Sequence, residues 1–177
     1  GAVGWLAWGQ GTALLRMVSN LTLKSKKWSD GHEFAESIIS KTMGFENIAI
    51  AGYSQDCKAY DAVVDAYRLD KEDTGRIGAI ESASLIAAEV PLDLVSRVYR
   101  IAILHSGING IHNRNAHSDL MASKHLLATA SIIGAYNVVA NLPEISYQNR
   151  QSIESKLSMM MDEIENMLSI TLEWSES

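Results

Sequence analysis

The sequence contains very little proline, a single cysteine and no excess of positive charge. Its 177 residues include two prolines, Pro91 and Pro143, one cysteine, Cys57, and a formal net charge of −6 at pH 7. A lone cysteine excludes an intrachain disulfide framework and suits a reducing compartment, so we expect a cytoplasmic protein. The negative charge argues against nucleic acid as a partner, because binding phosphates requires a cationic surface.

Several common sequence signals are also missing. No lysine-led signal sequence with a cleavage site is present. The apolar opening GAVGWLAWGQGTALL (1–15) contains four glycines, and it is shorter than the roughly 20 apolar residues that a membrane span needs. No Gly-Lys-Ser/Thr follows it, which excludes a Walker phosphate loop. The histidines have neither zinc-protease nor di-iron spacing, so we expect no metal site and no membrane partner.

What the sequence does contain is helical periodicity. Apolar residues recur at spacings of three and four along most of the chain, and no segment alternates convincingly as a strand. We predict one all-α domain over 1–177, a bundle of about five to seven mostly antiparallel helices, with one helix from about Ala116 to Asn141. Several helices are apolar on more than one face, and this predicts a homodimer. Pro91 is expected to kink or restart its helix, and bends are expected near Gly44 and Gly52.

The glycines of the first helix need a reason, because each interior glycine costs about 1 kcal/mol in helix propensity. Either a neighbouring helix or a flat ligand lies against them. Both interpretations stay open at this point.

The segment 53–67 places an acid on an apolar helical face. Asp56, Tyr60, Val63 and Tyr67 share that face, whereas Asp61 and Asp65 fall on another that is consistent with solvent. Burial raises the pKa of a carboxylic acid, which suits general acid–base catalysis. The alternative is a structural aspartate satisfied by backbone or lysine.

Three further polar groups are candidates for binding. Asn113, Asn115, Ser118 and Asp119 crowd one loop-to-helix junction, as helix caps or as partners for a heteroaromatic ligand. Asn137 and Asn141 lie one turn apart on an otherwise apolar helix, where amides require partners. The short basic run Lys24, Lys26 and Lys27 is either a solvated loop or a contact for an anionic ligand tail.

These segments together resemble a known family. MVSNLT (17–22), DCKAYDAVVDAYRL (56–69), EVPL (89–92), NRNAHSD (113–119) and NVVANLP (137–143) are similar, in order and spacing, to the cyclodeaminase/cyclohydrolase family. Its members include the C-terminal domain of formiminotransferase-cyclodeaminase and bacterial methenyltetrahydrofolate cyclohydrolases. The resemblance implies an all-helical dimer that acts, without a metal, on one-carbon units carried by tetrahydrofolate as the substrate.

The resemblance also implies roles for particular residues. Asp56 matches the aspartate assigned to catalysis, and Asp119 is the second catalytic candidate. In relatives a helix and a glycine-rich loop precede the first helix, so we expect roughly 20 to 30 further residues before Gly1, the length of a short helix with its connection. The substrate-binding candidates are Gly1 and Ala2 at the end of that loop, Tyr60, Asn113, Asn115, Ser118, Asn137 and Asn141.

The predicted function is hydrolysis of methenyltetrahydrofolate to formyltetrahydrofolate. One alternative is a formiminotetrahydrofolate cyclodeaminase that releases ammonia. Another is a non-catalytic folate-binding or dimerising module. Trp5 and Trp8 replace small residues of the relatives, and Ser54 stands where a second aspartate is frequent. The two indoles are expected to reshape or fill the cleft, which favours the module.

Overall fold

The protein is a bundle of helices. The computed structural model describes residues 1–174, and that part of the chain contains no strand. Three 3-10 helices, at Lys26–Gly31, Arg114–Ala116 and Leu142–Glu144, connect longer elements. The prediction of an all-α bundle is confirmed. Its α-helices are α1 (Ala2–Leu23), α2 (His32–Lys41), α3 (Phe45–Arg68), α4 (Arg76–Ile108), α5 (His117–Asn141) and α6 (Tyr147–Leu168).

Helix α1 lies in the centre of the bundle, and its glycines allow neighbouring helices to approach. A Cβ added to Gly4 would lie 2.7 Å from Leu94 on α4, and one added to Gly11 would lie 3.2 Å from the backbone oxygen of Ser123 on α5. Cβ atoms do not tolerate the shorter distance. Close helix packing therefore explains these two glycines.

Trp5 and Trp8 belong to the core. Their side chains are 1% and 3% exposed, and the rings meet edge to face with centroids 6.2 Å apart. The Trp5 ring covers Gly52, where an added Cβ would lie 2.2 Å from the indole. Helix α3 is continuous through Gly52, and the glycine there accommodates Trp5. The break near Gly44 is confirmed, since Gly44 has φ +73° between α2 and α3.

Helix α4 runs through Pro91 without interruption from Arg76 to Ile108. The expected restart of the helix at Pro91 is therefore wrong. A proline removes the hydrogen bond to the carbonyl four residues earlier, here that of Ala87. The side-chain amide of Asn141 on α5 donates to this carbonyl at 3.3 Å. The neighbouring helix thus compensates for the missing bond.

Helix α5 lies in a long apolar segment. By length and mean hydropathy alone, the segment Arg114–Glu144 is apolar enough to cross a membrane. In the structure its helix packs against α1 and α4, with Leu120, Leu127 and Val138 fully buried. Packing inside the bundle buries 44% of the most apolar window of this segment.

Candidate functional site

In the described part of the chain, a pocket lies at the start of α1, where this helix meets α3, α4 and α5. It is open on one side and has a volume of about 650 Å³, within the range typical of small-molecule sites. Six of the ten predicted site residues line it: Gly1, Ala2, Asp56, Tyr60, Asn137 and Asn141.

Asp56 is the most enclosed acid of this pocket. It continues the stripe on which α3 buries Gly52, Ala59 and Ala66, and its side chain is only 15% exposed. The Gly1 nitrogen lies 3.5 Å from Asp56 Oδ2. A Cβ added to Gly1 would lie 1.8 Å from Asp56 Oδ1, so only glycine permits this approach.

Two asparagines on α5 form the opposite wall. Asn137 Oδ1 accepts a hydrogen bond from the Gly1 nitrogen at 2.9 Å, and Asn137 Nδ2 donates to the Ile133 carbonyl at 2.8 Å. Asn141 Nδ2 donates to the carbonyls of Asn137 and Ala87. Both NH₂ groups are therefore held by backbone. Among residues 1–174, no donor reaches Asn141 Oδ1.

The predicted aromatic stripe around Asp56 is only partly correct. Tyr60 lines the pocket but is 67% exposed, and Tyr67 is 44% exposed. The residues buried with Asp56 are small, which permits close packing of α3 against its neighbours. Helical periodicity correctly placed Asp56 and the tyrosines at helical spacing. In the structure, however, the alanines of α3 are buried and the tyrosines are exposed.

Two pocket residues with reactive side chains were not selected from the sequence. Cys57 and Asp61 also line the pocket, on the same turns of α3 as Asp56 and Tyr60. The available signal was their adjacency in the sequence to two selected residues, Cys57 to Asp56 and Asp61 to Tyr60. The described lining includes two carboxylates and no lysine, arginine or histidine. This charge distribution favours a cationic ligand.

The predicted polar junction is at the other end of α1. Asn113 donates through Nδ2 to the Leu21 carbonyl and through its backbone nitrogen to Thr22 Oγ1, both at 3.0 Å. Its Oδ1 accepts from the backbone nitrogen of Asn115. Since α1 has 22 residues, its two ends are ~33 Å apart at 1.5 Å per residue.

One chain therefore does not bring the junction to the Asp56 pocket. At the junction, Asn115 and Ser118 are exposed and Asp119 is half-buried. The basic run Lys24, Lys26 and Lys27 directly follows α1 and is also at this far end, exposed to solvent.

Buried histidines distinguish the junction end. His105 Nε2 donates to the Leu120 carbonyl at 2.9 Å. The His112 and His117 rings stack with centroids 5.4 Å apart, and a 3.2 Å hydrogen bond joins His112 Nε2 to His117 Nδ1. Burial lowers the pKa of both His105 and His112. In the described part of the chain, no three potential metal ligands lie together.

The indoles do not fill the pocket. Neither Trp5 nor Trp8 lines it, because both side chains point into the core between α1, α3 and α4. The expectation that they fill the cleft is wrong. Ser54 is exposed, and its hydroxyl donates to the Ile50 carbonyl one turn earlier.

The protein is thus an all-helical bundle with an acid-lined pocket at the start of its central helix. The family described as formiminotransferase-cyclodeaminase matches residues 1–159. The chain belongs to this family, and the resemblance found in its motifs is confirmed.

Two relatives give the comparison more detail. A methenyltetrahydrofolate cyclohydrolase of Methylorubrum extorquens is 31% identical over 96 residues, which cover 52% of this chain and 46% of that protein. This chain thus aligns with less than half of that relative's length. The crystal structure of a formiminotetrahydrofolate cyclodeaminase from Thermotoga maritima superposes with a TM-score of 0.83 and 26% identity, covering 95% of this chain and 82% of the other.

Proposed function

We propose that the protein hydrolyses methenyltetrahydrofolate to formyltetrahydrofolate in the Asp56 pocket. One observation carries the proposal: Asp56, which the resemblance matches to an aspartate assigned to catalysis, is largely enclosed in a pocket whose described lining has no basic side chain. The methenyl substrate is a delocalised cation. Nearby carboxylates favour the binding of such a cation.

The reaction needs one base and a water molecule. Water attacks the bridging carbon, a C–O bond forms, and one of the two C–N bonds breaks. The water gives up both protons, one to the released folate nitrogen and one to solvent. Asp56 accepts the proton from the attacking water, and general-base help of this kind supplies ~100- to 10,000-fold in rate.

The test compares Asp56→Asn with Asp65→Asn. Asp65 is also on α3, but it is exposed and paired with Arg68 outside the pocket. Loss of the near-ultraviolet absorbance of methenyltetrahydrofolate measures turnover, with a protein-free sample subtracted. We expect kcat to fall ~100-fold or more in Asp56→Asn and to stay near wild type in Asp65→Asn. Equal activity in all three proteins contradicts the proposal.

A second candidate function is cyclodeamination of formiminotetrahydrofolate. The structural relative from Thermotoga maritima, which matches nearly the whole chain, bears this activity in its name. In this reaction a folate nitrogen attacks the formimino carbon, the ring closes and ammonia leaves. Formation of the methenyl absorbance together with released ammonia from formiminotetrahydrofolate identifies it. Folate binding without turnover of either substrate identifies the non-catalytic module.

We also propose that the protein works as a homodimer. Apolar side chains of α1 and α3 are exposed, including Val3 at 65%, Leu6 at 45% and Ile50 at 63%. Two antiparallel chains would also bring the junction of one to the Asp56 pocket of the other. Mixing the inactive variants Asp56→Asn and Ser118→Ala would then restore activity, because each mixed dimer has one site with both intact residues. If half of the dimers are mixed, the activity should be about a quarter of wild type. A stable monomer in sedimentation contradicts the proposal.

A further inference from the structure

Pro91 and Asn141 are coupled through one backbone carbonyl. Pro91 has no N–H, so the Ala87 carbonyl, four residues earlier on α4, has no helical donor. Asn141 Nδ2 donates to this carbonyl at 3.3 Å and to the Asn137 carbonyl at 2.8 Å. Pro91 is buried in the interior of α4, so no N–H of this helix can take the place of the Asn141 amide at the Ala87 carbonyl.

These two contacts fix the orientation of the Asn141 amide. Both partners are carbonyl oxygens, which only accept hydrogen bonds, so the NH₂ group must face them. The amide oxygen consequently points away from both carbonyls. Asn141 lines the Asp56 pocket, and no donor within residues 1–174 reaches its Oδ1. Asn141 is therefore a residue of the pocket lining whose amide is oriented and whose NH₂ group is already used.

We propose that Pro91 is a positioning residue, which holds Asn141 so that Oδ1 accepts a hydrogen bond from an N–H group of the ligand. The proposal rests on the function proposed above and extends it by assigning a specificity device. A reduced pterin carries such N–H groups on its ring edge. A heterocycle that offers only acceptors at this edge would face the Asn141 oxygen and be rejected.

Pro91→Ala tests the coupling, since it returns an N–H that competes with Asn141 for the Ala87 carbonyl. We expect KM for the folate substrate to rise about fivefold, the value of one neutral hydrogen bond, with kcat within about twofold. Removing a proline from a helix interior favours the helix, so the melting temperature is expected to rise or stay unchanged. Pro143→Ala is the control, because Pro143 is in the 3-10 helix after α5 and exposed.

A double-mutant cycle separates this coupling from a general packing effect. In the Asn141→Leu background, Pro91→Ala is expected to have no further effect on KM. If Pro91→Ala raises KM equally in both backgrounds, Pro91 acts by another route and the proposal is overturned. Circular dichroism checks that each variant is helical.

A readout without substrate keeps the proposal testable if no folate is turned over. The side-chain NH₂ resonances of Asn141, assigned by their absence in Asn141→Leu, are expected to shift in Pro91→Ala and not in Pro143→Ala. Wild-type protein without folate turnover or binding refutes the proposed function, whereas unchanged Asn141 resonances refute the positioning role. An unchanged KM in Pro91→Ala refutes the positioning role as well.

Discussion

The two ends of α1 hold polar clusters of similar composition that are satisfied in different ways. At the junction end, Asn113 uses both its amide nitrogen and its oxygen in local backbone contacts. At the pocket end, Asn137 and Asn141 donate to backbone, and within residues 1–174 no donor reaches Asn141 Oδ1. A polar cluster becomes a binding site where the fold leaves both space and an unused group. Within one chain, the Asn113 amide is fully used by the backbone, whereas the Asn141 amide at the pocket keeps its oxygen unused.

Among the substitutions that compare the two ends of α1, Gly1→Ala at the pocket end is expected to cause the largest loss of kcat. The new Cβ would overlap the Asp56 carboxylate, displacing it from the pocket wall. A displacement of about 1 Å can cost ~100-fold in rate, and we expect a loss of kcat of that order. Gly78→Ala is the control, because nothing lies within 4 Å of its added Cβ. Full activity of Gly1→Ala contradicts the role of this contact.

Asparagine substitutions at the two ends of α1 should affect different properties, substrate binding at the pocket end and stability at the junction end. Asn137→Ala is expected to raise KM about fivefold to tenfold through lost positioning in the pocket. Asn113→Ala is expected to lower the free energy of unfolding by about 1–2 kcal/mol, since a cap and a link to α1 are lost. Urea titration and steady-state kinetics measure both quantities for each variant. A stability loss in Asn137→Ala larger than that in Asn113→Ala would reverse the comparison.

The smallest effect is a pH dependence confined to the junction end. Burial lowers the pKa of His105 and His112, so the folded state favours neutral imidazoles. Their contribution to stability is present above pH ~6.5, the usual histidine pKa, and is lost as the pH falls through the lowered values. Hydrogen exchange is measured at pH 7.5 and 5.5 and corrected for intrinsic rates. At the lower pH, amides near His112 should lose protection, whereas amides near Asp56 should keep theirs.

A matched pair of variants checks the cause. His112→Gln should weaken this pH dependence, and His125→Gln, at an exposed position on α5, should leave it unchanged. Equal loss of protection at both ends of α1 contradicts the assignment.

The sequence was most informative where the signal is local. The helix predicted from about Ala116 to Asn141 is observed from His117 to Asn141, because Pro143 and the polar loop mark its ends. Pro91 was misjudged because its compensating partner lies 50 residues later in the chain. Which helical face of α3 is buried depends on neighbours that periodicity does not specify.

The candidate site divides in the same way. Motif order grouped the Asp56 segment, the junction and the asparagine helix as one cleft. Only the antiparallel course of α1 and α5 shows that Asn113 and Asn137 lie near opposite ends of α1. Residue types identified the candidates, and the path of the helices decided which of them meet.

The location of bound substrate tests the central claim most directly. Asp56→Asn should bind methenyltetrahydrofolate and hydrolyse it only slowly, so its crystal structure with that ligand shows the site. The account predicts the bridging carbon one water molecule away from the residue-56 side chain and the pterin edge against Asn141. Ligand bound away from residue 56, at the junction of the same chain or elsewhere on its surface, would contradict it.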